Sequence, residues 1–158
     1  MNQKTLLLLV TLLYLHQTSS FNITEAIKSI GRKKQSVSVR GRLLCQNNPI
    51  GGVKVKLYDH DHFTLDDLMD AGYSSQNGYF LLAGYSKEIM TLNTHLNVYH
   101  RCNYTTQIPT CFQKFTIKIP KSYVLEAEVP DLTKGYDVGQ IKLEEPQPGQ
   151  STDCVNLS

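Results

Sequence analysis

Apolar and polar residues alternate over most of this chain, which is the pattern of half-buried β-strands. In SVSVRGRLLC, Val37, Val39, Leu43 and Cys45 fall on one face, and the polar side chains fall on the other. In VKVKLYDHDH, the apolar residues from Val53 to Leu57 alternate with lysines in the same way. Both stretches predict strands with one face in a core.

Three further patterns extend the prediction to an all-β fold. AGYSS and GYFLLAGYS flank Gln76-Asn77-Gly78, and Asn-Gly between such stretches indicates a β-hairpin. THLNVYHRC and FQKFTIKIP form a second predicted hairpin, which ends at Pro120, and YDVGQIKLE is the last strand. Seven or eight short strands predict a β-sandwich of two antiparallel sheets, stapled by disulfides.

Residues 1–20 have the layout of a secretory signal peptide. Lys4 precedes a short apolar run and small residues follow, so cleavage is predicted after Ser20; a buried helix is the alternative. The apolar run is too short to span a bilayer. We therefore expect a secreted, extracellular protein that is not integral to a membrane. It would have an N-terminal arm over 21–34, a sandwich domain over 35–145 and a C-terminal tail over 146–158, held by a disulfide.

The four cysteines of this small chain predict two disulfides. Paired Cys-x-x-Cys spacing, which a zinc site favours, is missing from the sequence. Cys102 and Cys111 flank a polar loop at opposed ends of the second predicted hairpin, where the short distance suits a bridge. Of the three possible connectivities we therefore predict Cys102–Cys111, which leaves Cys45 with Cys154 and no free thiol nucleophile.

Three Asn-x-Ser/Thr triplets are candidate glycosylation sites, beginning at Asn22, Asn103 and Asn156. Asn103 is the favoured acceptor because its loop is predicted to be exposed. Asn22 follows the predicted cleavage point closely, and Asn156 lies two residues before Ser158.

The formal net charge of +2 favours neither nucleic acid nor a membrane as partner. One stretch, however, holds six bases and no acid: Lys28, Arg32, Lys33, Lys34, Arg40 and Arg42. It is either a solvated arm or a patch for anionic lipid or glycan, and GRKK could also be a processing site. We predict that any contact with an anionic surface uses these six residues.

The stretch YDHDHFTLDDLMDAG, Tyr58–Gly72, combines acids with histidines. Asp59 and Asp61 would continue the inner face of the preceding strand, and because unpaired buried carboxylates are costly, the strand is expected to leave the core near Tyr58. His60 and His62 share the outer face, as metal ligands can, but lysines crowd them and the calcium-loop template fails at three positions. We predict that Asp66 and Asp67 cap the loop and that no metal binds tightly.

Several blocks together resemble the nematode transthyretin-like family: QSVSVRGRLLC, GVKVKLYDHD, DDLMDAGYSSQNGYF, LNVYHRCN, FTIKIPKSYV, YDVGQIKLE and STDC. They run from Gln35 to Cys154. The resemblance implies a transthyretin-type sandwich of two four-stranded sheets, secretion, and this pattern of four cysteines. One departure is the hairpin, where Ser74-Ser75 stands in place of the family's usual Thr-Asp start.

The resemblance implies a choice among three functions. The 5-hydroxyisourate hydrolases share the fold, but their closing Tyr-Arg-Gly-Ser is missing here, and His100 is expected to be a partly buried, hydrogen-bonded histidine beside Arg101. A carrier of a small apolar ligand is the second possibility. We favour a secreted binding, signalling or cell-surface recognition module that is not an enzyme, needs no cofactor, and binds an extracellular protein, lipid or small apolar ligand.

Overall fold

The computed structural model describes residues 3–14, 31–60, 65–105, 108 and 110–155. Residues 3–14 form a helix within the predicted signal peptide, and they belong to a different compact unit from the one that begins at Lys33. In the described part of the chain, no helix has the length and apolarity needed to cross a membrane. The predicted cleavage point after Ser20 lies outside the described residues.

The unit that begins at Lys33 is built from strands. In the described residues these are β1 (Lys33–Cys45), β2 (Asn48–Pro49), β3 (Lys54–Asp59), β4 (Asp67–Tyr73), β5 (Tyr79–Glu88), β6 (Thr94–His100), β7 (Phe112–Lys118), β8 (Tyr136–Lys142) and β9 (Ser151–Asp153). Two short 3-10 turns, Lys121–Tyr123 and Leu132–Lys134, lie between β7 and β8.

The strands form the predicted sandwich of two sheets. In the four-stranded sheet β1 is central, with β2 and β5 antiparallel to it and β8 parallel to it. The five-stranded sheet has the order β4-β3-β6-β7-β9 and is antiparallel throughout. The expectation of two wholly antiparallel sheets is therefore wrong for β8. A parallel neighbour needs a crossover connection, which the residues between β7 and β8 supply.

The core lies between the inner faces that the alternation predicts. Val37, Val39 and Leu43 of β1 are at most 1% exposed, and Val55 and Leu57 of β3 are fully buried. The remaining buried side chains of the core cluster come from both sheets: Val53, Phe80, Leu82, Leu96, Val98, Cys102, Phe115, Ile119, Ile141 and Leu143. Burial of this apolar surface is the main force that holds the sheets together.

The predicted hairpin at Gln76-Asn77-Gly78 is wrong as a strand pair, although its turn exists. Gly78 has φ +79°, and the turn closes with hydrogen bonds between Ser75 and Gly78 and between Ser75 and Tyr79. The strands on either side, however, belong to different sheets. The turn therefore carries the chain from one sheet to the other. Between β4 and β5 a side chain makes the contact that a backbone ladder would make in a hairpin. The Asp70 carboxylate of β4 accepts a hydrogen bond from the Ala83 N–H of β5 at 2.9 Å.

The predicted disulfide pairing is also wrong. The bonds are Cys45–Cys102, with 57 residues of sequence separation, and Cys111–Cys154, with 43. Cys102 is 4% exposed and bonds across the core to the end of β1 in the other sheet. The first bond therefore joins the two sheets, and the second ties the tail to the five-stranded sheet.

The error has a physical cause in β9, which the sequence reading missed. Phe112 pairs with Asp153 across the β7–β9 ladder, so the next position along places Cys154 opposite Cys111. Cys111 thus has cross-strand neighbours on both sides, and hairpin geometry alone cannot choose between them. The loop-entropy treatment gives about 4 kcal/mol for each observed bridge.

We expect the double variant Cys45→Ala with Cys102→Ala to lower the free energy of unfolding by about 4 kcal/mol, because it releases a long loop and the link between the sheets. Urea unfolding of the purified protein measures the difference. Non-reducing peptide mapping should yield a fragment that joins Cys45 to Cys102. A fragment that joins Cys102 to Cys111 would contradict the observed pairing.

Candidate functional site

The outer face of the four-stranded sheet carries large side chains that remain exposed. Tyr79, Leu81 and Tyr85 alternate along β5 and are 58%, 49% and 49% exposed. The strand register places Arg42 of β1 beside Tyr79 and Arg40 beside Leu81. We call this surface, together with Tyr73 of β4 and Leu132 of the second 3-10 turn beside it, the Tyr–Leu–Arg face; its residues are Arg40, Arg42, Tyr73, Tyr79, Leu81, Tyr85 and Leu132.

Part of the same sheet is covered, and this limits how far the open surface extends. The backbone of Ser36 pairs with that of Leu125, with two hydrogen bonds of 2.8 and 2.9 Å. Ser38 donates its hydroxyl to the Asp131 carbonyl at 3.1 Å, and both serines are buried. The segment between β7 and β8 therefore closes the sheet around Ser36 and Ser38 and leaves the surface around Arg40 and Arg42 open.

A cavity of about 550 Å³ opens on this face. Its lining is mostly aromatic and apolar, with Arg40 and Ser75 as the polar exceptions; the lining residues are Arg40, Tyr73, Ser75, Tyr79, Phe80, Leu81 and Leu132. This volume falls within the usual range for small-molecule sites, but the cavity is a shallow one that is widely open to solvent. Tyrosine and arginine are also the side chains that contribute most at protein interfaces.

The two arginines of the Tyr–Leu–Arg face have different surroundings. Arg40 forms an ion pair with Asp137, with its Nε atom 3.0 Å from Oδ2. The Gly139 N–H, together with Arg40, lowers the pKa of the Asp137 carboxyl, so this acid is ionised at neutral pH. Arg42 instead donates from Nε to the Asn77 carbonyl at 3.0 Å and stacks over the Tyr79 ring at 5.0 Å. No carboxylate of the described chain pairs with Arg42.

Three of the six residues of the basic stretch form ion pairs with carboxylates. Lys33 pairs with Glu126 at 2.6 Å, Lys34 pairs with Glu128, and Arg40 pairs with Asp137 as described above. All these pairs are exposed and contribute little stability, but they cancel charge locally. Of the other three, Arg32 is exposed, Arg42 is half-buried, and Lys28 lies outside the described residues. Contact of the stretch with an anionic surface stays a prediction.

The outer face of the five-stranded sheet is different, because its central side chains are buried. Tyr99 is 2% exposed, with the ammonium groups of Lys56 and Lys114 at 5.9 and 5.8 Å from its ring centre. Burial, with smaller effects from Tyr58 and Asp153, raises the pKa of Tyr99 to about 12. This face therefore offers a partner less apolar surface than the Tyr–Leu–Arg face does.

In the stretch Tyr58–Gly72, the strand does not leave the core near Tyr58 as predicted. Asp59 is 2% exposed within β3, and its carboxylate accepts a hydrogen bond from the Asn93 N–H at 2.8 Å. A hydrogen-bonded partner offsets the cost of burying the carboxylate, a possibility that the prediction left out. Asp61 and His62 fall outside the described residues.

Asp66 pairs with a histidine. Its Oδ1 lies 2.7 Å from Nδ1 of His60, and the His60 ring stands edge-on to that of His95 with centroids 5.1 Å apart. Burial, the His60 ring and Lys118 together lower the pKa of His95, against a smaller opposing effect of Asp66. Within the described residues, no group of three or more His, Cys, Asp or Glu side chains could hold a metal ion.

His100 and Arg101 are sequence neighbours but do not form a joint site. His100 is 1% exposed, stands edge-on to Phe115, and neither ring nitrogen has a hydrogen-bond partner in the described structure. Its predicted hydrogen bonding is therefore wrong. Arg101 is exposed; it stacks over Phe112 at 4.1 Å and donates from Nε to the Cys111 carbonyl at 3.1 Å.

Asn103 stays the favoured glycosylation site. It is exposed, has φ +50°, and its Oδ1 accepts a hydrogen bond from Gln46 at 2.9 Å. Exposure is what transfer of a glycan to the side-chain nitrogen requires. The other two candidates, Asn22 and Asn156, lie beyond the residues that the structure describes.

The sequence reading did not single out Tyr79, Leu81 or Tyr85, although a signal was present. In GYFLLAGYS both faces of the strand are rich in apolar residues: Phe80 and Leu82 lie on the inner face, and these three lie on the outer one. A strand with water on one side normally alternates apolar with polar. Apolar residues on both faces therefore mark the second face of β5 as a candidate binding surface.

Comparison with known proteins places this chain among nematode relatives. Residues 40–120 match the model of the transthyretin-like family. The chain is 42% identical over 123 residues to Transthyretin-like protein 5 of Caenorhabditis elegans, covering 77% of this chain and 86% of the relative. It is 37% identical over 139 residues to Transthyretin-like protein 33 of the same organism, covering 87% and 94%. Transthyretin-like protein 2, also from C. elegans, is 37% identical over 133 residues, with 80% and 86% covered.

We expect titration calorimetry with zinc and with calcium to show no one-to-one site of micromolar or better affinity in Tyr58–Gly72. Lys118 adds positive charge near His95, and the described residues hold no group of three or more possible metal ligands, so a cation is disfavoured there. A tight site that disappears in His60→Ala would contradict this expectation. His100→Ala, which alters a buried histidine elsewhere, is the control.

We expect His100 to make the fold sensitive to mild acid. Burial lowers the pKa of His100 from 6.5 to about 4, so below pH 6.5 the unfolded chain takes up a proton that the folded chain does not. The folded state therefore loses stability as the pH falls from 6.5 to 4, by about 3 kcal/mol in total. Urea unfolding at several pH values should show that His100→Phe loses this part of the pH dependence. An unchanged slope in His100→Phe would refute the assignment.

Proposed function

This chain belongs to the transthyretin-like family, and from that membership we propose that it is a secreted binding module, without catalysis, that recognises a partner in signalling or at a cell surface. Secretion is supported by the predicted signal peptide and by two disulfides, which persist in oxidising compartments. A binding role is supported by the Tyr–Leu–Arg face, and this exposed surface is the observation that carries the proposal.

The composition of the face suits recognition of another molecule. Soluble monomers rarely leave a contiguous apolar patch exposed unless it contacts a partner. Here Tyr79 and Leu81 occupy successive outward positions of β5, with an arginine beside each, and Tyr85 follows on the same face beyond Ala83. Tyrosine and arginine are enriched among the side chains that dominate binding energy. The face therefore has the chemistry of an interface.

The test is binding of the purified, disulfide-bonded protein to intact cells, with Leu81→Asp as the disrupting variant. An aspartate in the apolar face would have to be desolvated on binding, so we expect at least about a tenfold loss of bound protein. Leu68→Asp is the matched control, since Leu68 is a 53%-exposed leucine in β4 of the other sheet.

Three results would overturn or relocate this function. Equal loss in the two aspartate variants would place recognition elsewhere than on the Tyr–Leu–Arg face. No cell binding by the unmodified protein would remove the cell-surface role. Turnover of a substrate by the purified protein would overturn the non-enzymatic assignment.

A carrier of a small apolar ligand is the second candidate, and the cavity favours it. The volume of about 550 Å³ and the apolar lining fit such a ligand. The carrier would be favoured if an apolar fluorescent probe binds saturably to the unmodified protein and this binding is lost in Tyr73→Asp, while Tyr73→Asp still binds cells as the unmodified protein does. The probe should bind equally to unmodified protein and to Leu68→Asp.

A further inference from the structure

We propose that the Tyr–Leu–Arg face binds an extended peptide segment of a partner protein, in which a carboxylate lies two residues from a large apolar side chain. The proposal rests on the binding function argued above and adds the chemistry of the partner. It follows from the charge and spacing of four side chains: Arg40, Arg42, Tyr79 and Leu81.

Arg42 is the cation that recognises the carboxylate. Its Nε is fixed by the Asn77 carbonyl at 3.0 Å, and one side of its guanidinium plane rests on the Tyr79 ring. Because the side chain is already held, binding costs little further side-chain entropy. The terminal nitrogens of a guanidinium form the planar pair that matches the two oxygens of a carboxylate.

Arg40 provides the contrast within the same face. Asp137 already neutralises it, and its Nη1 lies 3.4 Å from the Leu132 carbonyl. A second carboxylate at Arg40 would meet the charge of Asp137, so the acid of a partner is better placed at Arg42. Arg40 instead forms part of the wall of the cavity, beside Leu81 and Tyr73.

Strand geometry sets the distance between the two halves of the site. Arg42 and Arg40 are two residues apart on β1, and their partners Tyr79 and Leu81 are two residues apart on β5. Side chains two positions apart on a strand share a face and are separated by about 6.6 Å. An extended peptide has the same spacing, so a carboxylate at Arg42 puts the side chain two residues away at the cavity.

The open edge of β5 cannot simply accept this peptide as an added strand. The Ala83 N–H already donates to Asp70 Oδ2, and a β-carbon at Gly84 would lie 2.7 Å from Met69 Cβ of β4. Strand addition needs a continuous row of available backbone groups. Recognition must therefore run through side chains on the face of the sheet.

The test is selection from a random heptapeptide library displayed on phage, with the full disulfide-bonded protein as the immobilised target. We expect enriched peptides to carry Asp or Glu two positions from Leu, Ile, Phe, Tyr or Trp. Binding of these synthetic peptides should weaken by at least about tenfold in Arg42→Gln, since a lost charged hydrogen bond is worth that much. Higher salt should weaken binding to the unmodified protein.

Arg101→Gln is the matched control, because Arg101 also stacks on an aromatic ring and donates from Nε to a backbone carbonyl, but in the other sheet. Binding should be unchanged in that variant. Urea unfolding of all variants checks that each is folded.

The outcomes separate this inference from the function on which it rests. Peptides that need Leu81 but lack an acid, or that bind Arg42→Gln equally well, would overturn the acidic partner and leave the Tyr–Leu–Arg face as a binding surface. A Leu81-dependent homodimer that captures no peptide would make a second copy of the chain the occupant. A selection in which no peptide depends on Leu81, combined with unimpaired cell binding by Leu81→Asp, would overturn both.

Discussion

The backbone of β1 is hydrogen-bonded along both of its edges, and the rest of the sandwich depends on this pairing. β5 and β2 follow one another along one edge, β8 lies along the other, and all three pair with β1. Since a paired strand can neither slide nor rotate, its alternate side chains are committed to opposite faces. Val37, Val39 and Leu43 therefore build the core, while Arg40 and Arg42 stand on the outer face at fixed positions.

The different environments of these two arginines follow from what lies on either side of β1. The parallel neighbour β8 brings Asp137 to Arg40, whereas the turn before β5 brings a carbonyl, and β5 itself the Tyr79 ring, to Arg42. A carboxylate cancels charge, while a carbonyl and a ring orient the guanidinium and leave its charge intact. The connectivity of the fold thus decides which arginine can attract an anion.

Local pattern predicted the inner faces of β1 and β3 and the β6–β7 hairpin, because each depends on residues close in sequence. It failed where distant segments meet. Arg40 and Asp137 are 97 residues apart, and Cys111 finds Cys154 only because β9 pairs with β7. Alternation says which side chains share a face but not which strand lies alongside, so the disulfide pairing and the ion pairs of the basic stretch could not be deduced. For the open Tyr–Leu–Arg face, the apolar residues on both faces of β5 were the one signal in the sequence.

The Asn-Gly turn shows how one local signal serves a different purpose in the folded chain. Gly78 is required because it has a positive φ and because a β-carbon there would lie 2.4 Å from the Leu43 carbonyl oxygen. The turn therefore presses closely against β1, next to Arg42, and its Asn77 carbonyl holds the guanidinium. It also sets the start of β5, and hence the position of Tyr79. A sequence motif that indicates a hairpin thus passes the chain between the sheets and positions both Arg42, the proposed carboxylate contact, and the Tyr79 ring that supports it.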